Sequence, residues 1–337
     1  MNQDYIVPNN WSIIEEGYEA DRVKSSESLF SIGNGAMGQR ANFEEQYSGA
    51  TFQGSYIAGV YYPDKTKVGW WKNGYPEYFA KVLNAPNWIG INVEINGESL
   101  DLSKCKSVSN FRRELNMQEG WYQRSFQAVL QNDLEISVHV TRFLSLDIDE
   151  LGAIKYEVTP INSDAKVVFK PYLDAGIENE DTNWEEKFWE TLEIKNEENA
   201  AFVVARTLKT KFTVATYMQN QIIVNNEIAD VKPVEVSKET SKISFAYEVA
   251  ATQGQTVSIH KFGGYTISTN HKEEYLISAA KQVLVQATTL GFNALLENQK
   301  QAWAKIWEMS DITIEGDTKA QQGIRFNIFQ LNQTYLG

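Results

Sequence analysis

The sequence predicts a mainly β protein built as a large antiparallel sandwich, and three observations carry that expectation. Short runs in which apolar and polar residues alternate recur from Trp88 to Thr269, and turn residues separate them. Between these runs nothing repeats at the three-and-four spacing of a helix. Parallel βαβ units need a helical crossover between strands, so the third observation argues against them.

In chain order, residues 1–26 read as an irregular or edge-strand lead-in anchored by Trp11, Ile13 and Ile14. Residues 27–62, ESLFSIGNGAMGQRANFEEQYSGATFQGSYIAGVYY, place six glycines (Gly33, Gly35, Gly38, Gly49, Gly54, Gly59) among aromatic and β-branched residues. That composition suits short strands, tight corners and close backbone approach. Gly33, Gly35 and Gly38 spell G-x-G-x-x-G. The dinucleotide fingerprint also needs a buried strand before it, an amphipathic helix after it and an acidic residue about 20 positions on. Here polar DRVKSSES precedes and QRANFEEQYSG follows, so the match is not read as a nucleotide site.

Residues 63–81 mix Pro, Gly and Asn with Trp70, Trp71, Tyr75, Tyr78 and Phe79 and keep neither period, which predicts a long loop. Trp70, Trp71 and Tyr75 are the candidate site residues. Their flat apolar faces suit the C–H face of a sugar at a pocket rim, and the plainer reading is packing at a domain or subunit contact. From Trp88 the alternation of Ile91, Val93 and Ile95, then Asn96-Gly97, then Leu100 and Leu102, predicts a hairpin with a type I′ turn. Further strands are expected at 122–130, 134–146, 151–160, 166–174, 188–196, 201–208, 211–220, 221–227, 242–250 and 255–269.

After Asn270 the period changes. Tyr275, Leu276, Ala279, Ala280, Val283 and Leu284 mark an amphipathic helix that TTLG (288–291) interrupts, and a second starts near Phe292 with Trp303 and Trp307 on its apolar side. A short ITIEG strand is expected next. Asp317 or Thr318 then caps a third helix, whose Ile324, Ile328, Leu331 and Tyr335 share a stripe. One such helix cannot bury that stripe alone, so residues 318–337 are expected to be mobile.

At 337 residues the chain exceeds the usual span of one core, so two units are expected. With 42% hydrophobic and 22% charged residues it has the composition of a soluble globular protein. A net charge of −13 repels phosphate backbones and anionic lipid, which speaks against nucleic-acid and membrane partners. The single cysteine, Cys105, has no internal partner, and MNQDYIVPNNW lacks the basic start and apolar core of a signal peptide, so a cytoplasmic location is expected.

Candidate acids are adjacent Glu44 and Glu45, and a cluster of Asp174, Glu178, Glu180, Asp181, Glu185 and Glu186. On an extended strand Glu44 and Glu45 point to opposite faces and so would not share a pocket. The cluster reads as a solvated loop. His139, His260 and His271 stand far apart without metal-ligand spacing, and no motif activates Cys105 or a serine. No metal or cofactor is expected.

Four stretches carry a resemblance: SIGNGAMGQRANFEEQYSGATFQGSYIAGVYY, VLNAPNW (82–88), LDAGIENEDTNWEEKFW (173–189) and SDITIEGDTKAQQGIRFNIFQLNQT (310–334). Together they resemble the maltose phosphorylase family, which also holds kojibiose and trehalose phosphorylases and related α-glucoside hydrolases. The resemblance covers nearly the whole chain, although proteins of that family are more than twice as long. It implies a galactose-mutarotase-like β-supersandwich over 1–270, a helical linker over 271–309, and over 310–337 the first helix of an (α/α)6 catalytic barrel, truncated at Gly337. The activity implied is inverting phosphorolysis of an α-glucoside disaccharide to β-glucose 1-phosphate and free sugar, in a homodimer with inorganic phosphate as co-substrate. The family's general acid lies in the barrel, so no catalytic residue is assigned within this chain and the chain alone is expected to be inactive. A hydrolase of the same family, or a stand-alone carbohydrate-binding sandwich, are the alternatives.

Overall fold

The computed structural model describes residues 5–65, 76–179 and 187–335. The chain opens with β1 (Ile6–Val7), β2 (Ser12–Glu16) and a short helix α1 (Val23–Leu29), then β3 (Ile32–Gly33), β4 (Met37–Gln39) and β5 (Ser55–Ile57). A ribbon of β6 (Tyr61–Lys65) and β7 (Tyr78–Val82) follows, then β8 (Ile91–Ile95), β9 (Glu98–Ser99), β10 (Ser107–Asn116), β11 (Trp121–Val129) and β12 (Glu135–Leu144). Next come β13 (Leu151–Pro160), β14 (Ala165–Asp174), β15 (Trp189–Glu197), β16 (Ala200–Thr207) and β17 (Thr213–Val224). β18 (Glu227–Ala229), β19 (Glu235–Lys238), β20 (Lys242–Ala251) and β21 (Val257–Ile267) precede helices α2 (Leu276–Ser310) and α3 (Thr318–Thr334).

Among the described residues two large antiparallel sheets dominate. One runs β1-β2-β10-β11-β12-β13-β21-β17-β16-β15 with β18 beside β17, and the other runs β19-β20-β14-β8-β9. They pack face to face, because every second residue of each is apolar: Ile91, Val93 and Ile95 of β8 and Val167 and Phe169 of β14 join Phe126, Val138, Val140 and Ile259 of the larger sheet in one core. Gly152 of β13 and Gly263 of β21 are cross-strand partners. They leave room for the buried Trp88 ring, from which a Cβ at Gly152 would stand 2.4 Å.

On the outer face of the larger sheet the alternation disappears where α2 covers it. Phe143, Leu151, Phe202 and Phe262 pack there against Ala280, Leu284, Phe292 and Leu295 of the helix. α2 breaks at Gly291 (φ 77°, ψ 164°), within the expected TTLG interruption. Beyond the break Trp303 stacks on Phe329 of α3 at 4.4 Å, and Trp307 Nε1 donates to Met117 O at 2.8 Å. None of the described helices is long and apolar enough to cross a membrane.

Several local expectations are corrected. Helix α1 takes up the end of the expected lead-in and the first residues of the glycine-rich stretch, and the stretch read as a loop over 63–81 begins and ends in the paired strands β6 and β7. β10 was not anticipated, because the irregularity at Asn110 (φ 52°) shifts its register against β11 and breaks the alternation. Residues 211–227 hold one long strand, β17, rather than two abutting ones, and ITIEG is not a strand.

The third helix begins at its Asp317 cap, whose carboxylate accepts from Ala320 N at 3.0 Å, but it turns its other side inward. Its buried residues are Gln321, Gln322, Arg325, Phe329 and Gln333, while Leu331 and Tyr335 are exposed. Part of the surface beneath it is backbone, which a polar face satisfies, while Phe329 meets the Trp303 ring and Phe326 and Ile328 pack against the core. Gln322 Nε2 donates to Val7 O at 3.0 Å and Ser12 O at 2.7 Å, and Arg325 donates to Asn10 O at 3.1 Å and pairs with Asp311 at 2.8 Å. The segment expected to be mobile is thus docked as far as Thr334.

Candidate functional site

Trp70, Trp71 and Tyr75 lie outside the described residues. The ribbon that leads into and out of their stretch is described, and it borders a trough built on the glycine-rich segment. What the G-x-G-x-x-G spacing encodes is a hairpin. Asn34 Oδ1 accepts from Met37 N at 2.8 Å, Gly35 takes φ 80°, and Gly33 is returned opposite Gly38. Gly38 in turn pairs with Tyr56 of β5. Ile32, Met37, Gln39, Ser55 and Ile57 point into the body, so the outward row reads Gly33, Gly38, Tyr56.

Two neighbouring glycines leave bare backbone as a floor. Gln330, Gln333 and Thr334 of α3 line the trough with Tyr61, Ala80 and Val82 of the ribbon, enclosing about 560 Å³. A Cβ at Gly33 would stand 3.0 Å from Gln333 O, so the glycine is what lets the helix end come this close. Gln333 fixes the join, its Oε1 accepting from Gly33 N at 2.7 Å and its backbone carbonyl from Gly35 N at 2.8 Å.

Beneath the trough a buried ion cluster pins the segment to the larger sheet. Glu44 and Glu45 sit at a bend rather than on a strand, so both carboxylates turn to one side, contrary to the expectation for extended backbone. Arg124 of β11 donates to Glu45 Oε1 at 2.7 Å, to Glu45 Oε2 at 2.6 Å and to Glu44 Oε2 at 2.9 Å, and Arg142 of β12 donates to Glu44 Oε1 at 2.7 Å. All four side chains are closed to solvent. Burial opposes the charge on Arg124, but Glu45 and Glu44 outweigh it and hold the guanidinium firmly protonated. Arg142 also donates to Arg40 O at 3.0 Å, so the cluster grips backbone as well as side chains. Buried Glu27 accepts from Phe52 N at 2.8 Å and from the Thr51 hydroxyl. Carboxylates held in this way serve as struts. They are not placed to protonate a leaving group.

The remaining candidates have local partners. Asp174 Oδ1 accepts from Gly176 N at 2.8 Å, and Glu180, Asp181, Glu185 and Glu186 lie outside the described residues. His139 pairs with Glu157 at 3.0 Å and His271 with Glu150 at 2.7 Å. His260 packs beside the Phe292 ring, and burial followed by the nearby Lys155 charge pushes its imidazole down to about 4. Burial, then Asp101 and Glu98, push the Cys105 thiol up to about 11, which leaves it a poor nucleophile.

The trough was missed in the sequence because its parts are assembled from distant positions. The one usable signal was the Asn34-Gly35 turn, which sets the register that brings Gly33 and Gly38 together.

Comparison with known proteins agrees with this architecture. The description "Glycosyl hydrolase family 65, N-terminal domain" matches residues 13–306. Maltose phosphorylase of Bacillus subtilis is 39% identical over 344 residues, an alignment that takes in 100% of this chain and 44% of that protein. Alpha,alpha-trehalose phosphorylase of Thermoanaerobacter brockii is 28% identical, covering 96% of this chain and 43% of that protein. A solved structure described provisionally as a kojibiose phosphorylase, from the human microbiome, superposes with a TM-score of 0.87 at 25% identity, over 98% of this chain and 42% of that one. The chain spans less than half the length of these relatives. With the β-sandwich, the two helices after it and most of its length matched, the chain belongs to glycosyl hydrolase family 65 as an N-terminal domain.

Proposed function

We propose that this chain is the amino-terminal part of an inverting disaccharide phosphorylase, which converts an α-glucoside and phosphate to β-glucose 1-phosphate and free sugar. The observation that carries the reading is the 39% identity to a maltose phosphorylase along the whole chain. Inverting cleavage needs a carboxylic acid at the departing oxygen and a nucleophile on the opposite face. Glu44 and Glu45 are committed to Arg124 and Arg142, which fits a proton donor and phosphate site supplied by sequence beyond Gly337. In this reading phosphate is a co-substrate, no other cofactor takes part, and the enzyme works as a cytoplasmic homodimer. A hydrolase of the same family is the second reading, since trehalose and kojibiose phosphorylases and uncharacterized glycosyl hydrolases all align with this chain.

The test is an assay with maltose, trehalose and kojibiose. The 337-residue chain is expected to form no glucose 1-phosphate, and the product of the whole reading frame to form it only when phosphate is present. Turnover by the 337-residue chain itself would overturn the division of labour. Glucose release independent of phosphate would favour the hydrolase, and a reading frame that stops at Gly337 would favour a stand-alone binding module.

A further inference from the structure

We infer that Asn96-Gly97, at the tip of the hairpin between β8 and β9, is a self-modifying site, where the asparagine cyclises and hydrolyses to aspartate and isoaspartate while the chain stays folded. The backbone nitrogen of the following residue must reach the side-chain carbonyl carbon of the asparagine, and only glycine brings no Cβ into its path. The sequence holds Asn-Gly at 34–35, 73–74 and 96–97. The second lies outside the described residues, and the structure gives the other two opposite fates.

At Asn34-Gly35 every reacting group is held. Asn34 is 1% exposed, its amide nitrogen donates to Ser145 O and Asp149 O, and its Oδ1 accepts from Met37 N. The attacking atom is held too, since Gly35 N donates to Gln333 O at 2.8 Å. Ring closure there breaks all of these bonds in a buried site, each at a cost. At Asn96-Gly97 the same atoms stand open. Both residues are exposed, and the Asn96 side chain accepts one bond, from Lys166 N at 2.8 Å. Among the described residues nothing accepts from its amide nitrogen or from Gly97 N, and a Cβ added to Gly97 would meet nothing within 4 Å. Asn96 (φ 52°) and Gly97 (φ 82°) hold the left-handed turn, so the tip must rotate before nitrogen and carbonyl meet. That rotation is local. It gives up two bonds to Lys166, the one above and Asn96 N to Lys166 O at 2.9 Å, while Ile95 and Leu100 on either side stay buried in the core.

The step balances with water as its only co-reactant. Gly97 N bonds to Cγ of Asn96 and loses its proton, the Cγ–Nδ2 bond breaks, and the departing nitrogen takes that proton and leaves as ammonia. Water then opens the succinimide ring. Attack at the side-chain carbonyl gives aspartate, and attack at the main-chain carbonyl gives isoaspartate, whose main chain runs through the former side chain. Either product adds one negative charge beside Glu98 to a chain of net charge −13. Isoaspartate also adds a carbon atom to the main chain of a two-residue turn that joins the paired Ile95 and Glu98. The contacts it loosens first are those of the Glu98 carboxylate, which accepts from Gln131 N at 2.7 Å and Asn132 N at 3.2 Å.

The folded 337-residue chain is to be aged in mildly alkaline buffer, digested and mapped by mass spectrometry, with isoaspartate counted by an isoaspartyl methyltransferase and labelled S-adenosylmethionine. Asn96 is expected to convert more than about tenfold faster than Asn34, because local opening of the tip costs less than releasing the buried turn. In concentrated urea the two should convert at the same rate, which places the difference in the fold. The aged form that carries isoaspartate at 96, separated by ion exchange on its extra charge, should exchange amide hydrogens faster at Glu98 and Ser99 while β14 and β20 keep their protection. Equal conversion of Asn34 and Asn96 in the folded chain would overturn the inference. So would an Asn96 that stays intact in the folded chain while it converts in urea.

Discussion

The larger sheet and the small glycine-rich sheet lie against each other and share one apolar core, but they differ in how much ladder and how many buried polar contacts hold them. β12 and β13 pair continuously from Ile136 with Pro160 to Leu144 with Gly152, and apolar side chains fill both faces of the strands that α2 covers. β3 and β4 pair at only two positions, Ile32 with Gln39 and Gly33 with Gly38. Strands that short have no independent stability. The small sheet shares the common apolar core through Ile32, Met37 and Ile57, and side chains that reach far along the sequence hold it further: Asn34 donates to Ser145 O at 2.7 Å and Asp149 O at 2.9 Å, and Arg142 to Arg40 O at 3.0 Å. Ladder and packing build the platform. Polar struts mount the trough on it.

The sharpest way to break that contrast is Arg124→Met. The change leaves Glu44 and Glu45 buried with Arg142 as the nearest remaining cation of the cluster, and removing one partner of a buried ion pair costs about 3–5 kcal/mol. Urea unfolding reads the total, and hydrogen exchange reads its place. Protection should fall first over residues 30–57, with β12, β13 and β21 retaining theirs. A loss below about 1 kcal/mol, or a uniform fall in protection, would show that packing alone holds the small sheet.

The same contrast explains what the sequence made legible. β8, β11 and β14 announce themselves because period-two alternation is local, and the Asn96-Gly97 turn because both residues need positive φ, found at 52° and 82°. α1 hides because VKSSESL is too short to show a period, and it buries Ser26 and Glu27 beside Val23. In α3 the expected stripe is only partly the buried one: Ile328 packs against the core, but Gln321, Gln322, Arg325 and Gln333 turn inward because backbone groups of the lead-in and the hairpin take part in the surface beneath them. The opposite-face expectation for Glu44 and Glu45 holds only on extended backbone, and nothing local signals their bend. Trp70, Trp71 and Tyr75 were chosen for aromaticity, which is visible in a sequence. The trough is not visible, since it depends on a cross-strand register and on Gln333, 300 residues from Gly33.

A middle-sized effect probes the platform. The cover that α2 places on the larger sheet includes one titratable weak point, His260, held down to about 4 against an ordinary 6.5 by burial and then by Lys155, with Glu157 opposing. Between those values the unfolded chain takes up a proton that the native chain refuses. The unfolded state therefore binds more protons, stability rises with pH across the window, and it is lost as pH falls from 6.5 toward 4. Because the residue is only half-buried, about 2 kcal/mol is the upper expectation. His260→Gln should lose less stability than the parent between pH 7 and about 4.5, measured by urea midpoints. Equal losses would place the acid sensitivity in other groups.

The smallest effect tests how the trough is closed. Gln333 joins α3 to the glycine hairpin through two bonds, its side chain to Gly33 N at 2.7 Å and its own backbone carbonyl to Gly35 N at 2.8 Å. Gln333→Leu removes the first, together with the donations of its amide nitrogen to Gln330 Oε1 at 2.7 Å and Ser31 O at 3.5 Å, and keeps the second. A neutral hydrogen bond contributes about 1 kcal/mol, and water can reach the open trough to satisfy the Gly33 amide, so the cost of losing these bonds should be about 1–2 kcal/mol. In a chain of this size such a loss moves thermal unfolding by no more than about 2–4 °C. Exchange at Gly33 should quicken clearly while Gly35, still bonded to the carbonyl, stays protected. If both amides quicken together, the helix end has lifted as a unit and the side chain carries the join. If neither changes, the Gly33 contact is incidental, and the stacking of Phe329 on Trp303 at 4.4 Å is what holds α3 against the body.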